Sequence, residues 1–288
     1  MPEGSWRLTL ASAYGRFDTS HVASCPDVAP VECATTPIPD HRHVIRLDLF
    51  HTELLVDYGA RERLTLSLRV PYDVKDQKVR YTTLSGEPYV PPYGDIHHRT
   101  ETLRGVSDGQ VTALFPVGGS LLIGAGLSIP WGRTEPNPIV LGREGKKHEH
   151  LQFGSGTVDP VFSVVWSRPL GPLVLAASAD AQIPLYENRH GFKAPATVRY
   201  SAGPSVRFGT TGVSLQYAGQ YQSIGRWDGE VDEGTGFHNG GIFVRASFLP
   251  WKGFRIAPGI YREVYSRSLS EETFHQGTTY SLTLSRFF

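Results

Sequence analysis

Ten of the chain's eleven histidines fall in stretches that read as long connections: His21, His41, His43, His97, His98, His148, His150, His190, His238 and His275. Only His51 sits within strand periodicity, on a polar face. His41-Arg42-His43, His97-His98 and His148-Glu149-His150 are short-range pairs from three separate connections. On an extended chain His-x-His points both imidazoles the same way, and neutral imidazole is the commonest ligand for Zn, Cu and Ni. If the connections converge, His41, His43, His97, His98, His148 and His150 form a site for a transition metal, Zn or Cu, or for an anionic solute. The plain alternative is that each is an ordinary polar loop residue, because no single spacing is diagnostic. No cofactor is certain.

Asp40-His41 and Asp95-Ile96-His97 suggest a second chemistry. A carboxylate bonded to one imidazole nitrogen makes the other a general base, the arrangement an omptin-like protease or a barrel lipid hydrolase would use. No serine or second aspartate can be placed beside either pair, so the enzyme is the minor reading and no catalytic residue is assigned. Cys25 and Cys33, the two cysteines, lie close together in a Pro- and Ala-rich stretch. In an exported chain such a pair is expected to form a disulfide, with a metal-thiolate pair as the sharper alternative. Met1-Pro2-Glu3-Gly4-Ser5 has neither the basic region nor the apolar stretch of a signal peptide, so the chain reads as a mature sequence with a replaced start.

The elements that must position these residues are strands. Lys and Arg number 28, as do Asp and Glu, which gives no charge argument for nucleic acid. No run approaches the ~20 apolar residues of a membrane helix. A barrel is not excluded, since only alternate strand residues must face lipid. At the C-terminus Tyr280, Leu282, Leu284 and Phe288 alternate with Ser281, Thr283 and Ser285, as in a strand with one apolar and one polar face. This aromatic-ended strand resembles the last strand of bacterial outer-membrane barrels.

The pattern recurs about twelve times, with long and short connections in strict turn. The expectation is an all-β, transmembrane, antiparallel up-and-down barrel in one domain, residues 1–288. Short turns would face the periplasm and long loops the exterior of a bacterial outer membrane. Tyr14, Tyr58, Tyr72, Trp131, Trp166 and Phe248 would form aromatic girdles. In Val44 to Tyr58 the apolar set changes phase, which predicts a β-bulge near Leu49-Phe50.

Gly105-Val106-Ser107-Asp108-Gly109-Gln110-Val111 and Gly154-Ser155-Gly156-Thr157-Val158-Asp159-Pro160-Val161-Phe162 resemble the Gly-x-x-Asp segments that open strands in the meta-pathway phenol-degradation family of outer-membrane proteins. That resemblance implies a transporter without naming its substrate. With lipid on the apolar faces, Asp48, Glu53, Asp73, Asp108, Asp159 and Asp180 line one side of the lumen. Arg199, Arg207, Arg245 and Arg255 line the other. Such charges either impose a field across a pore or plug it with cross-pairing. The expected function is a channel for small solutes, with outer-membrane lipid and a small-molecule or metal-ion solute as partners. A structural barrel docked to envelope proteins is the remaining alternative.

Overall fold

The chain rolls its alternating strands into a closed ring. The computed structural model describes residues 1–24, 33–35, 37–94, 96, 98–232, 234–269 and 273–288. Among them, twelve long antiparallel strands pair each with the next: β1 (Trp6–Ala23), β2 (His41–Arg61), β3 (Leu64–Thr83), β4 (Gly109–Val117), β5 (Leu121–Ile129), β6 (Pro160–Leu170), β7 (Leu173–Gln182), β8 (Thr197–Phe208), β9 (Thr211–Gln222), β10 (Phe237–Trp251), β11 (Phe254–Ser268) and β12 (Thr279–Phe287). β1 pairs with both β2 and β12, which leaves the ring no long free edge. The seam is tied at the short-turn end, where Trp6 and Phe288 exchange backbone hydrogen bonds of 3.3 and 3.0 Å. On that side Gly118 and Gly171 turn the chain with φ of +65° and +64°, a conformation that suits glycine.

The hydrophobic pattern is inside out. Leu8, Leu54, Val111, Leu127, Leu215 and Leu282 are exposed on the outer face, while buried apolar side chains are few among the described residues. A contiguous apolar exterior is costly in water and is what lipid requires. Tyr14, Tyr72, Trp131, Trp166 and Phe248 are exposed on it, and Tyr58 lies tilted against Trp6 at 4.4 Å between ring centroids. Among the described residues, no helix is long and apolar enough to cross a membrane.

The wall is uneven in height, and this positions the histidines. Crossing a bilayer takes roughly 9–11 tilted strand residues. β4 and β5 have 9 residues each, whereas β1, β2 and β3 have 18, 21 and 20. The surplus stands beyond the apolar belt at the long-loop end. There the outward residues turn from Tyr14 and Phe50 to the Arg16–Asp48 pair at 2.9 Å and the Lys78–Asp76 pair at 3.2 Å.

Three expectations are corrected here. β1 and β2 pair without interruption from Trp6↔Tyr58 to Ala23↔His41, so Leu49-Phe50 holds no bulge; the β2–β3 register shifts at Gly59/Arg61. Ile45, Leu47 and Leu49 instead point inward, Ile45 buried, because the extended wall is packed from inside by loops. Their apolar character marks that packing and not lipid. With no bulge, Asp48 falls on the outer face beside Phe50, where Tyr14 Oη donates to it at 3.0 Å; it does not line the lumen. His21, His41, His43, His238 and His275 lie in strands, because strands outlast the membrane belt. Cys25 lies outside the described residues, and with it the expected bridge to Cys33; Cys33 packs against Ala23, Ile38 and Tyr93.

Candidate functional site

The long-loop end carries a histidine cluster built by register. His21 pairs across from His43, and His43 across from Tyr81, one row of the inner face on β1, β2 and β3. One row higher, Ala23, His41 and Thr83 stand side by side. The chain after β3 folds back along it: Pro88–Tyr89 and Glu101–Val106 both pair with β3. That return brings in Tyr93 and His98, with Tyr81 Oη donating to the His98 carbonyl at 2.8 Å. His98 lies 5.2–5.3 Å, centroid to centroid, from His21, His43 and His150, and His150 lies 5.1 Å from His148. Of the six expected ligands, His41, His43, His98, His148 and His150 therefore converge, and His97 lies outside the described residues. His21 joins them without having been singled out. His190 and His238 stand apart: His190 contacts Arg189, and His238 accepts or donates at 2.8 Å to Tyr200 on the outer face.

Hydrogen bonds fix how the rings present themselves. The Pro39 carbonyl can only accept, so His41 Nδ1 donates to it at 2.8 Å, and Nε2 of the neutral ring is left to accept. Tyr93 Oη donates to that Nε2 at 2.6 Å. The Tyr93 oxygen in turn accepts from His43 Nε2 at 2.8 Å. His43 Nδ1 therefore carries a lone pair, aimed at His21 Nε2 3.1 Å away. Asp40 is exposed and takes no part, so Asp40-His41 is no catalytic dyad; Asp95 and His97 are not described. His51 Nδ1 meets Asp73 Oδ1 at 2.7 Å, but Ser107 donates to the other oxygen of Asp73 and not to the imidazole. The serine–histidine bond that nucleophilic catalysis uses is missing from this trio.

The connection between β5 and β6 dips into the barrel beneath this cluster. Inward-facing Lys75 donates to the Gln152 carbonyl at 2.5 Å and lies over the Phe153 ring. The two Gly-x-x-Asp segments meet here. Asp108 Oδ1 accepts from Gly132 N at 2.9 Å, and Oδ2 accepts from Ser155 N and Oγ at 2.6 and 2.9 Å. One carboxylate thus holds both ends of the segment. Asp159, fully buried, accepts from Thr157 Oγ1 and Gln182 Nε2. Asp108 and Asp159 are loop anchors and not the strand-face charges expected of them. Above, α1 (Pro138–Arg143), capped by Asn137, joins the loop after β9 through Asn137–Asp228 at 2.7 Å and Arg143–Glu230 at 2.7 Å, and that loop pairs with the one after β7 at Phe192↔Trp227. Trp227, buried against Phe192, holds those two loops together.

Burial beside these groups moves several ionisations. It pushes the His150 imidazole from 6.5 down to about 3, helped by neighbouring His148, and lowers His148 as well. It lifts the Glu149 carboxyl from 4.5 to about 7, with Glu101 adding repulsion. An imidazole depressed on folding stabilises the docked loop above 6.5 and loses this as pH falls; a carboxyl raised on folding stabilises it at low pH and loses this as pH rises through about 7. Docking is therefore expected to be firmest near pH 6.5. Hydrogen exchange across residues 144–152, corrected for intrinsic rates, should slow to a minimum there, and Glu149→Gln should flatten only the alkaline side. A flat profile from pH 5.5 to 8 in both proteins would count against this balance.

Below the loops the lumen has two storeys. In the middle, Arg69, Gln110, Asp180, Gln182, Thr197 and Arg199 enclose about 10 Å³, room for roughly one water. Glu53 pairs with Arg69 at 3.4 Å, and Gln110 bridges to Gln182 at 3.1 Å, so this level is cross-paired. Beneath it opens a cavity of about 680 Å³ with Arg207, Arg245, Lys252 and Arg255 on its walls, among Ser205, Ser214 and Gln216, and no carboxylate in its lining. Glu53, Asp73, Asp180, Arg199, Arg207, Arg245 and Arg255 all project inward, but acids concentrate in the middle, and the bases below pair with no carboxylate among the described residues. The charge is sorted by depth more than from side to side. Sequence alone could not show this, since depth depends on strand stagger.

No family of known proteins matches this chain by sequence, and no curated protein matches it; the resemblance to the meta-pathway phenol-degradation family is not confirmed. Among solved structures, an outer membrane channel from Pseudomonas putida F1 matches with a TM-score of 0.59 at 13% identity, over 100% of this chain and 97% of its own. The P. putida toluene transporter TodX gives 0.48 at 10% identity, over 100% and 91%. The CymD monoaromatic hydrocarbon channel gives 0.46 at 9%, over 100% and 89%. The first of these, with the closed ring and its apolar exterior, establishes the fold of this chain as a transmembrane antiparallel β-barrel.

Proposed function

We propose that the chain is an outer-membrane channel for small solutes, closed in this conformation and selective for anions at its periplasmic end. The fold shared with the P. putida F1 channel and the lipid-facing belt support the location. The observation that carries the reading is the 680 Å³ cavity below the constriction, whose four basic side chains face no carboxylate. A barrel serving only as scaffold gains nothing from a wet basic chamber, because unpaired charge in a confined space is costly unless water or an anion shares it. The closing elements are hydrogen-bonded side chains and loops, which can part without dismantling the wall. Organic carboxylates or phosphates small enough for the chamber are the solutes this lining suits.

Single-channel recording of the reconstituted barrel in a KCl gradient tests this. Brief, small openings with a reversal potential on the chloride side are expected. A barrel that never conducts at any voltage, and passes no solute into liposomes, would be a structural plug.

A further inference from the structure

We propose that His21, His43 and His98 form a transition-metal site, for Zn²⁺ or Cu²⁺, that staples the mouth of the barrel shut. One nitrogen from each ring lies within 4.8 Å of the others. Nitrogens bound at about 2.0–2.1 Å to one tetrahedral zinc sit roughly 3.4 Å apart. His21 Nε2 and His43 Nδ1, at 3.1 Å, are already close to that spacing, and His98 has at most about 1.4 Å to close.

The stronger argument is orientation. The chain from the Pro39 carbonyl through His41 and Tyr93, with the accepting His41 Nε2 also 3.1 Å from His43 Nε2, favours the His43 tautomer whose Nδ1 lone pair turns into the trio. Metal-binding imidazoles owe their aim to such outer partners on the opposite nitrogen. His43 and His98 are buried, and His21 half-buried, which excludes most competing water. An all-imidazole set suits Zn²⁺ or Cu²⁺ over Mg²⁺ or Ca²⁺, which prefer oxygen. Three protein ligands leave a fourth position for water or a solute.

The three residues come from β1, β2 and the return segment after β3, so one ion would tie the wall to the loop over the pore. His98 is continuous with Arg99, whose guanidinium donates to the His148 carbonyl at 2.6 Å and pairs with Glu149 at 3.1 Å. Fixing His98 therefore fixes the inserted β5–β6 loop as well. This closing action rests on the channel reading; the metal site itself does not.

The test uses the full-length barrel in detergent, stripped with chelator and titrated calorimetrically with ZnCl₂. One ion per chain is expected. His43→Ala, His21→Ala and His98→Ala should each weaken binding 30-fold or more, while His190→Ala leaves it unchanged. Tyr93→Phe keeps the ring but breaks the relay, and about a tenfold loss is expected, the scale of an outer partner. Co²⁺ in place of zinc should give the visible absorption of tetrahedral coordination in the parent protein and not in His43→Ala. Heat-modifiable gel migration confirms that each variant is folded. Absent binding by the parent protein, or undiminished binding by folded His43→Ala, overturns the site. In bilayers, Zn²⁺ should silence the parent channel and spare His43→Ala. Binding without any change in conductance overturns the staple alone, and silence of every variant with or without metal tells against the channel instead.

Discussion

Replacing Asp108 with alanine is expected to release the inserted loop and turn rare openings into long ones. Its carboxylate accepts from Gly132 N at one end of the loop and from Ser155 N and Oγ at the other. The fit leaves no room for substitutes: a Cβ on Gly154 would come within 2.2 Å of the carboxylate, and one on Gly132 within 2.8 Å. Hydrogen bonds to a charged acceptor contribute about 1.5–3 kcal/mol each, and the freed donors regain some of this from water, so a net loss on the order of 3 kcal/mol, roughly 100-fold in the closed-to-open ratio, is reasonable. The barrel wall does not use Asp108, so the protein should still shift on heating in a gel. Hydrogen exchange of residues 132–155 should accelerate about that much, and open time should lengthen in bilayers. Asp108→Asn, which keeps an acceptor, should fall between. Unchanged exchange in Asp108→Ala would mean that the loop is held by something else.

The second large effect is expected at the constriction. Arg69 and Arg199 fill the middle of the lumen and face Glu53 and Asp180. Arg69→Ala with Arg199→Ala removes two long side chains and two positive charges, leaving the carboxylates to set the local field. Conductance should rise several-fold and ion preference should turn from chloride toward potassium, because the narrowest level dominates selectivity. Reversal potentials in a KCl gradient measure this directly. Gln110→Ala, which removes volume but no charge, should raise conductance without turning the preference. If the double variant stays as chloride-selective as the parent, the constriction lies elsewhere.

Which parts of this were legible before folding follows from what lipid demands. A lipid-facing strand must place an apolar group at every second residue, so Leu121, Ile123, Leu127 and Ile129 of β5 declare their face outright, as do Leu282 and Tyr280 of β12. Short turns and long loops sort by side because each hairpin reverses at one membrane surface. Those two constraints give the barrel, its strand number and the inward direction of Glu53, Asp73, Asp180, Arg199, Arg207, Arg245 and Arg255. They act locally, residue by residue, and are therefore written in the sequence.

Above the membrane the constraint lapses, and tertiary structure decides. Ile45, Leu47 and Leu49 carry the same apolar signal as a lipid face but answer to loops packed inside the wall. Asp48 looks like a lumen charge and pairs with Arg16 outside. His21 and His43 are 22 residues apart and meet because β1 and β2 pair continuously past the belt, a matter of register that no local pattern encodes. Asp108 and Asp159 read as strand starters, yet hold a loop whose return path only the closed ring defines. Periodicity determined the wall; the contents of the lumen were settled by which distant segments the wall brings within hydrogen-bond reach.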